Sequence, residues 1–206
     1  MTAAQQVTPD RIAIAGLRLF AERGYAGTSM EEVRRAAGIS NGSLYHHFPS
    51  RAHLAARLVL DGMGQCQDGV RRVLAAAGSA EAGIRGVIED QSGWVEDHAD
   101  LARLLYGELP DDVLLAAEPR FGEDNRRYVE DVGGWLRARA ERGELRRLPF
   151  PVTHALWLGP AQELARQWLQ GRSRIPPREA ARDLAEGAWR ALAGSTPTAT
   201  AQEGTA

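Results

Sequence analysis

The chain has 206 residues, of which 44% are hydrophobic and 25% charged, and its formal net charge at pH 7 is −2. Its length suits one large or two small domains, and no run of residues is apolar enough for a membrane span or a signal peptide. The single cysteine, Cys66, excludes an internal disulfide and suits a reducing cytoplasm. As a small residue in a helical stretch, Cys66 is more readily a core residue than a redox switch.

Helix-forming residues dominate and no alternating strand pattern persists, so the sequence predicts an all-α fold. The first helix is predicted to begin at Thr8-Pro9-Asp10, where a cap precedes a proline and an acidic residue. Gly24 ends it, and Phe20 is its expected anchor in a small core.

The stretch from Thr28 to Arg51 has the pattern of a helix-turn-helix. Thr28 and Glu31 have the spacing of a capping box, and Gly38 supplies the left-handed residue that ends this helix. Ser40 is predicted to cap a short second helix, and Ser50 the helix that follows.

The short second helix is polar on its outer side. Leu44 and Phe48 lie four residues apart and are predicted to face inward. The outer side chains are of kinds that contact bases and phosphates: Asn41, Ser43, Tyr45, His46 and His47. Arg51 in the first turn of the next helix opposes the helix dipole unless a phosphate lies beside it. The alternative is a small surface hairpin without a ligand.

Charge divides unevenly along the chain. Residues 1–60 carry seven arginines against four acidic residues, so the remainder of a chain of net charge −2 is acidic. A basic N-terminal part joined to an acidic body is typical of a nucleic-acid binder with a second domain of another function.

These residues resemble the DNA-binding domain of the TetR family of bacterial transcriptional repressors. The resemblance spans Thr8 to about Leu60 and is carried by the segments FAERGY at 20–25, Thr28-Ser29, AAGIS at 36–40 and GSLYHHFPSR at 42–51. It implies a homeodomain-like three-helix domain at 8–52 followed by a helical, dimerising, ligand-sensing body at 53–193.

The resemblance also implies roles for individual residues. Those expected to hold phosphates are Thr28, Ser43, Tyr45, His47 and Arg51, and those expected nearest to base edges are Asn41, Gly42 and His46, with Ser29 in the same interface. Asn41 can pair bidentately with adenine. Because family members often have lysine at this position, the base that is read is left open.

The body is predicted to contain a long helix from Ser50 to about Leu74, then helices at about 80–97 and 101–105. Two prolines break residues 107–119 into a short helix between turns, and a long helix is expected at about 120–142. Large rings in these middle helices are candidates for a ligand cavity: Trp94, His98, Tyr106, Phe121, Tyr128 and Trp135. The alternative is that each is an ordinary core residue.

No cofactor or metal is expected. The acidic stretch 96–100 is interpreted as a solvated helix junction, because consecutive residues of a helix point in different directions.

Two C-terminal helices are predicted to form the dimer interface. One spans about 151–170 and the other begins at Pro176-Pro177, and their apolar stripes contain Trp157, Ala161, Leu164, Trp168, Leu184, Ala188 and Trp189. Val152, Ala155 and Gly159 form an adjacent face of small residues. The alternative is that both helices only close the monomer core. The small polar tail at 194–206 is expected to be disordered.

The leading hypothesis is a cytoplasmic, homodimeric, ligand-responsive repressor that binds a palindromic double-stranded DNA operator. It is not expected to be an enzyme, because no phosphate-binding glycine loop, nucleophile elbow or zinc-protease motif occurs. The competing hypotheses are a small enzyme and a helical adaptor that binds only proteins. The effector, the operator and the choice between repression and activation are left open by the sequence.

Overall fold

The computed structural model describes residues 9–194, which fold into nine helices. Leu145 and Ala193 form an isolated antiparallel bridge within the same range. The helices are α1 (Pro9–Arg23), α2 (Met30–Ala37), α3 (Asn41–His47), α4 (Arg51–Ala76), α5 (Ala80–Asp97), α6 (Ala99–Leu105), α7 (Asp111–Glu141), α8 (Phe150–Leu169) and α9 (Pro177–Leu192). Thr8 and the predicted tail from 195 lie outside the described residues.

Local signals set the boundaries of α2, α3 and α4. Gly38 has a φ of 64°, in the left-handed region, and its backbone N–H donates to the last carbonyls of α2. The hydroxyls of Ser40 and Ser50 accept from backbone amides in the first turns of α3 and α4. The helix-turn-helix geometry predicted for this region is therefore present.

The N-terminal helices share their core with the body. Ile12 and Leu54 are fully buried within α1 and α4, and the same cluster includes Leu101 of α6 with Val113 and Ala117 of α7. Three short helices bury little surface by themselves, so this shared core stabilises them. The first turns of α7 therefore touch the DNA-binding candidate domain directly.

The predicted break before residue 120 is wrong, because α7 runs without interruption from Asp111 to Glu141 and contains Pro119. A proline inside a helix deprives the carbonyl four residues earlier of its usual donor. Here that residue is Leu115, which is 71% exposed. Water can reach this side of the helix, which reduces the cost of the missing bond.

A second core cluster holds α4, α5, α7, α8 and α9 together, and its largest fully buried side chain is Trp157. The indole N–H of Trp157 donates to the carbonyl of Ile84 at 2.9 Å. Across residues 9–194, no helix combines the length and the apolar character required to cross a membrane.

Candidate nucleic-acid interface and ligand cavity

Helix α3 is anchored on one side and exposed on the other. Leu44 is fully buried, whereas Tyr45 is 50% exposed. Asn41, Gly42 and His46 are exposed too, and Ser43 and His47 are half-buried. The sequence-predicted interface residues of α3 thus share an accessible polar face.

Thr28 does not belong to that face, contrary to the sequence prediction. It is 1% exposed, and its hydroxyl lies 3.2 Å from the carbonyl of Leu19 and 3.0 Å from that of Gly24, to which it donates. The N-cap of α2 is instead Ser29, whose backbone N–H donates to the Glu32 carboxylate at 2.9 Å. Thr28 therefore ties the end of α1 to the start of α2 and is closed to phosphate.

Arg51 is also largely committed to the protein itself. Its Nη1 donates to the carbonyl of Thr28 at 2.9 Å and to that of Ala26 at 3.3 Å. Its guanidinium carbon lies 4.2 Å from the centroid of the Tyr25 ring. Arg51 thus braces the loop before α2 through Nη1, and its contact with phosphate stays a prediction.

Four of the seven arginines in residues 9–60 are paired with carboxylates. Arg23 contacts Glu32 at 2.5 Å, Arg34 contacts Glu31 at 2.7 Å, and Arg57 bridges acidic residues of α1 and α4. Hydrogen bonds from Arg34 hold the pKa of the Glu31 carboxyl below its ordinary value. The accessible face of α3 is consequently polar rather than strongly basic.

A side-chain hydrogen bond joins the loop between α1 and α2 to α7. The hydroxyl of Tyr25 donates to Oδ2 of Asp112, in the first turn of α7, at 2.6 Å. Partial burial, followed by this bond, raises the pKa of Tyr25. Because Arg51 stacks on the same ring, the side chain of Tyr25 connects α4, α7 and the interface.

A cavity of about 850 Å³ lies in the body. Its walls come from α4, α5, α7 and α8 and from the segment between α6 and α7, and three of the predicted rings line it: Tyr106, Phe121 and Tyr128. Its volume lies toward the upper end of the range for small-molecule sites. The cavity extends to the first turns of α7, where Asp111 precedes the partner of Tyr25.

The other three predicted rings lie elsewhere. Trp94 stacks on His98 with 5.2 Å between ring centroids, beside a separate cleft that Arg178 also lines. Trp135 packs against Gly83. Trp94, His98 and Trp135 therefore do not line this cavity, because each helix turns a different face to it and ring size does not select that face.

The polar part of the cavity wall, which the sequence did not predict, consists of Gln67, Gln91, Asn125, His154 and Gln162. Gln67 and Gln91 are 9% and 8% exposed. A signal was present in the sequence, since Gln91 follows Ile84, Val87 and Ile88 at helical spacing on an otherwise apolar face.

Cys66 also lines the cavity, and burial raises the pKa of its thiol to about 12. A thiol that stays protonated is a poor nucleophile, so this environment disfavours a redox switch. Within the part of the chain that the structure describes, no cluster of His, Cys, Asp and Glu is arranged to hold a metal ion. Glu96 and Asp97 of the stretch considered for metal pair with Arg178.

The predicted dimer stripe faces partly inward. Trp157 and Ala188 are 1% and 3% exposed and belong to the core of the monomer, so their assignment to an interface is wrong. The other members of the stripe are half-buried: Ala161, Leu164, Trp168, Leu184 and Trp189. The outward face of α8 is the neighbouring one, with Val152 at 44% and Leu156 at 37% exposure. The most apolar part of the predicted stripe therefore packs inside the monomer.

Comparison with known proteins identifies the N-terminal region. Residues 12–58 match the family described as bacterial regulatory proteins, tetR family. Among curated proteins, the HTH-type transcriptional regulator LmrA of Bacillus subtilis is 27% identical over 114 residues, which cover 53% of this chain and 59% of LmrA. The chain spans about half to two thirds of the length of the curated relatives that it matches first.

Two solved structures share the fold over most of their length. The transcriptional regulator FadR from Bacillus subtilis, solved in complex with stearoyl-CoA, has a TM-score of 0.74 at 17% identity and covers 88% of this chain and 97% of its own. The ketosteroid transcriptional regulator KstR2 of Mycobacterium tuberculosis has a TM-score of 0.67 at 20% identity, and the match covers 95% of this chain and 100% of KstR2. These identities establish a common fold and no common ligand.

Proposed function

Through residues 12–58 the chain belongs to the tetR family of bacterial regulatory proteins, and from this premise we propose that it is a DNA-binding transcriptional regulator. It acts in the cytoplasm as a homodimer on a palindromic operator, and a small molecule in the 850 Å³ cavity changes its affinity for that operator. Repression is the mode that the resemblance favours. The observation that carries this proposal is the exposed polar face of a short helix in a helix-turn-helix.

The α3 face would enter the major groove. Asn41, Gly42 and His46 are the residues nearest to base edges, and Ser29, Ser43, Tyr45 and His47 contact phosphates from the flanks. An asparagine side chain can accept one hydrogen bond from an adenine and donate another to the same base, so Asn41 has the clearest role in reading the DNA sequence. Because α3 itself contains no arginine or lysine, hydrogen bonds from this helix contribute more to the contact than its net charge.

Dimerisation would use the outward faces of α8 and α9. On α8 this face includes the exposed residues Val152, Ala155 and Leu156, and on α9 it includes Gly187. A Cβ added at Gly159 or Gly187 would meet no atom within 4 Å, so a second copy can approach both backbones closely. A two-fold arrangement of these helices forms a four-helix bundle and places two α3 helices about 34–36 Å apart, one turn of DNA.

Ligand binding would reach the interface through α7. The cavity wall includes Asp111, and the next residue, Asp112, accepts the hydrogen bond of Tyr25. A ligand that binds one arrangement of α7 more tightly than another shifts the population of that arrangement. The two N-terminal domains of the dimer then move relative to each other, and their α3 helices no longer fit two successive major grooves at the same time.

Selection from a random duplex library, followed by a mobility-shift assay on the selected sequence, tests the proposal. Tyr45→Ala removes one contact of about 1 kcal/mol from each subunit, so the dimer should bind about 30-fold more weakly. Ile175→Ala is the matched control, because Ile175 is also 50% exposed but lies between α8 and α9. Its affinity should equal that of the wild type.

The affinity must also fall as the salt concentration rises, because each phosphate that the protein neutralises releases counterions. The logarithm of the binding constant should fall with the logarithm of the salt concentration, with a slope of about −0.9 per phosphate. Failure to select any duplex, or selected duplexes that bind Tyr45→Ala as tightly as the wild type, would refute the assignment of this interface.

A further inference from the structure

The cavity contains buried polar groups that the protein leaves unused. Gln67 and Gln91 are more than nine-tenths buried and line the cavity, yet neither side-chain amide has a hydrogen-bond partner among residues 9–194. In that same range, every side-chain nitrogen or oxygen atom that is sealed from the surface has a partner. The two amides therefore open into the cavity. Water in the cavity can reach these amides, and a ligand with a matching polar group can replace that water and bond to them.

The polar groups are concentrated at one end. Gln91, Tyr106 and Gln162 line the main cavity and also a small void beside it, so they lie together between α5, α6 and α8. The α7 wall carries the apolar side chains Leu114, Leu115 and Phe121, which are exposed, and its carboxylates lie at the surface. The cavity thus has a hydrogen-bonding end between α5, α6 and α8 and apolar side chains along α7.

Charge is absent from the interior. No arginine lines the cavity, and its carboxylates, Asp111 and Glu118, are exposed at the α7 side. Burial raises the pKa of Tyr128 to about 12 and lowers the pKa of His154. These groups are therefore neutral near pH 7. Arg71 lies beside Tyr128, with its guanidinium carbon 5.8 Å from the ring centroid, but it is paired with Asp68 and Asp131. An anion placed here would therefore lose its hydration without gaining a free counter-ion.

We propose that the cavity binds an uncharged, mainly apolar molecule that carries a hydrogen-bonding group at one end. That group lies against Gln91 and Tyr106, and the apolar part extends along Leu114, Leu115 and Phe121. A fatty-acid anion is disfavoured at this end, because no cation is among the residues that line the cavity. The role of such a molecule as an effector rests on the proposed regulatory function, whereas its binding does not.

The test compares two ligands of equal chain length, decan-1-ol and decanoate, by calorimetric titration of the full chain without DNA at pH 8. The alcohol should bind at least tenfold more tightly than the carboxylate. Gln91→Leu should lower the affinity for decan-1-ol about three- to tenfold, which corresponds to the loss of one hydrogen bond. The same variant should bind an alkylbenzene, which has no polar group, as tightly as the wild type does. Gln67→Leu serves as the second variant, and Gln170→Leu, at the exposed end of α8, is the control.

A charge reversal provides the complementary measurement. Glu118→Arg places a cation at the cavity wall and should raise the affinity for decanoate severalfold, whereas Glu130→Arg makes the same change on α7 away from the lining residues and should not. The inference is overturned if decanoate binds as tightly as decan-1-ol, or if neither glutamine variant lowers the affinity for the alcohol. A protein that selects no DNA but discriminates these ligands would refute the regulatory function alone.

Discussion

The hydrogen bond between Tyr25 and Asp112 offers a direct test of how the interface and the cavity are connected. Tyr25→Phe removes the hydroxyl and retains the ring, so the contact with Phe20 and the stacking of Arg51 persist. A bond to a charged acceptor is worth about 1.5–3 kcal/mol when shielded, and the exposure of Asp112 reduces this to about 1 kcal/mol. For a chain of this size the melting temperature should fall by about 2–4 °C.

A double-mutant cycle isolates this contact. Tyr25→Phe, Asp112→Ala and their combination, measured by urea denaturation, should give a coupling of about 1 kcal/mol. Tyr45→Phe is the control, because the Tyr45 hydroxyl is exposed and has no partner among the described residues; its stability should be unchanged. The single variant Tyr25→Phe should also reduce the effect of a cavity ligand on operator affinity.

If the free energies of unfolding of the two single variants add without coupling, the bond does not hold the domain to the body. If the coupling is present but ligand and DNA influence each other as strongly in Tyr25→Phe as in the wild type, the signal travels by another route, such as α4.

Three further predictions concern stability and assembly. Thr28→Val should lower the free energy of unfolding by about 1–2 kcal/mol in urea denaturation, because the hydroxyl bonds to two backbone carbonyls within the protein. Its operator affinity should stay within twofold of the wild type. A large loss of affinity at unchanged stability would instead support the phosphate contact that the sequence predicted for Thr28. Bonds from Arg142 and from the amide of Ala80 lower the pKa of Glu144 to about 2 from 4.5, so its stabilisation is complete above about pH 4.5 and is lost as the pH falls toward 2. The urea midpoint of Glu144→Gln should accordingly lie below that of the wild type at pH 7 and approach it near pH 2.5, and an equal difference at both values would contradict this. Leu156→Glu should yield monomers in sedimentation equilibrium without loss of helix content, and an intact dimer would exclude the outward face of α8 as the interface.

The helix-turn-helix was predictable because its determinants are local. Gly38, Ser40 and Ser50 act on backbone groups within four residues, so the sequence alone specifies where α2 ends and where α3 and α4 begin. The choice between Thr28 and Ser29 as N-cap was not local, since each has a glutamate three residues later. Contact with the end of α1 decided it by burying Thr28.

The long helix α7 and the cavity depended on tertiary structure. Sequence rules end a helix before Pro119, but the exposed side of α7 tolerates the missing hydrogen bond. Ring size suggested six pocket residues, yet only the packing of α4, α5, α7 and α8 determines which face of each helix borders the cavity. Tyr106, Phe121 and Tyr128 reach it, whereas the remaining three rings do not.

The sequence by itself determined an all-helical chain with an N-terminal domain whose short helix is apolar on one side and polar on the other, because caps, glycines and helical periodicity act over a few residues. Only the tertiary structure decided that Trp157 fills the monomer core, that Arg51 braces a loop and that two buried glutamines open into a cavity. These outcomes depend on which surfaces meet, and residues far apart in the chain supply those surfaces.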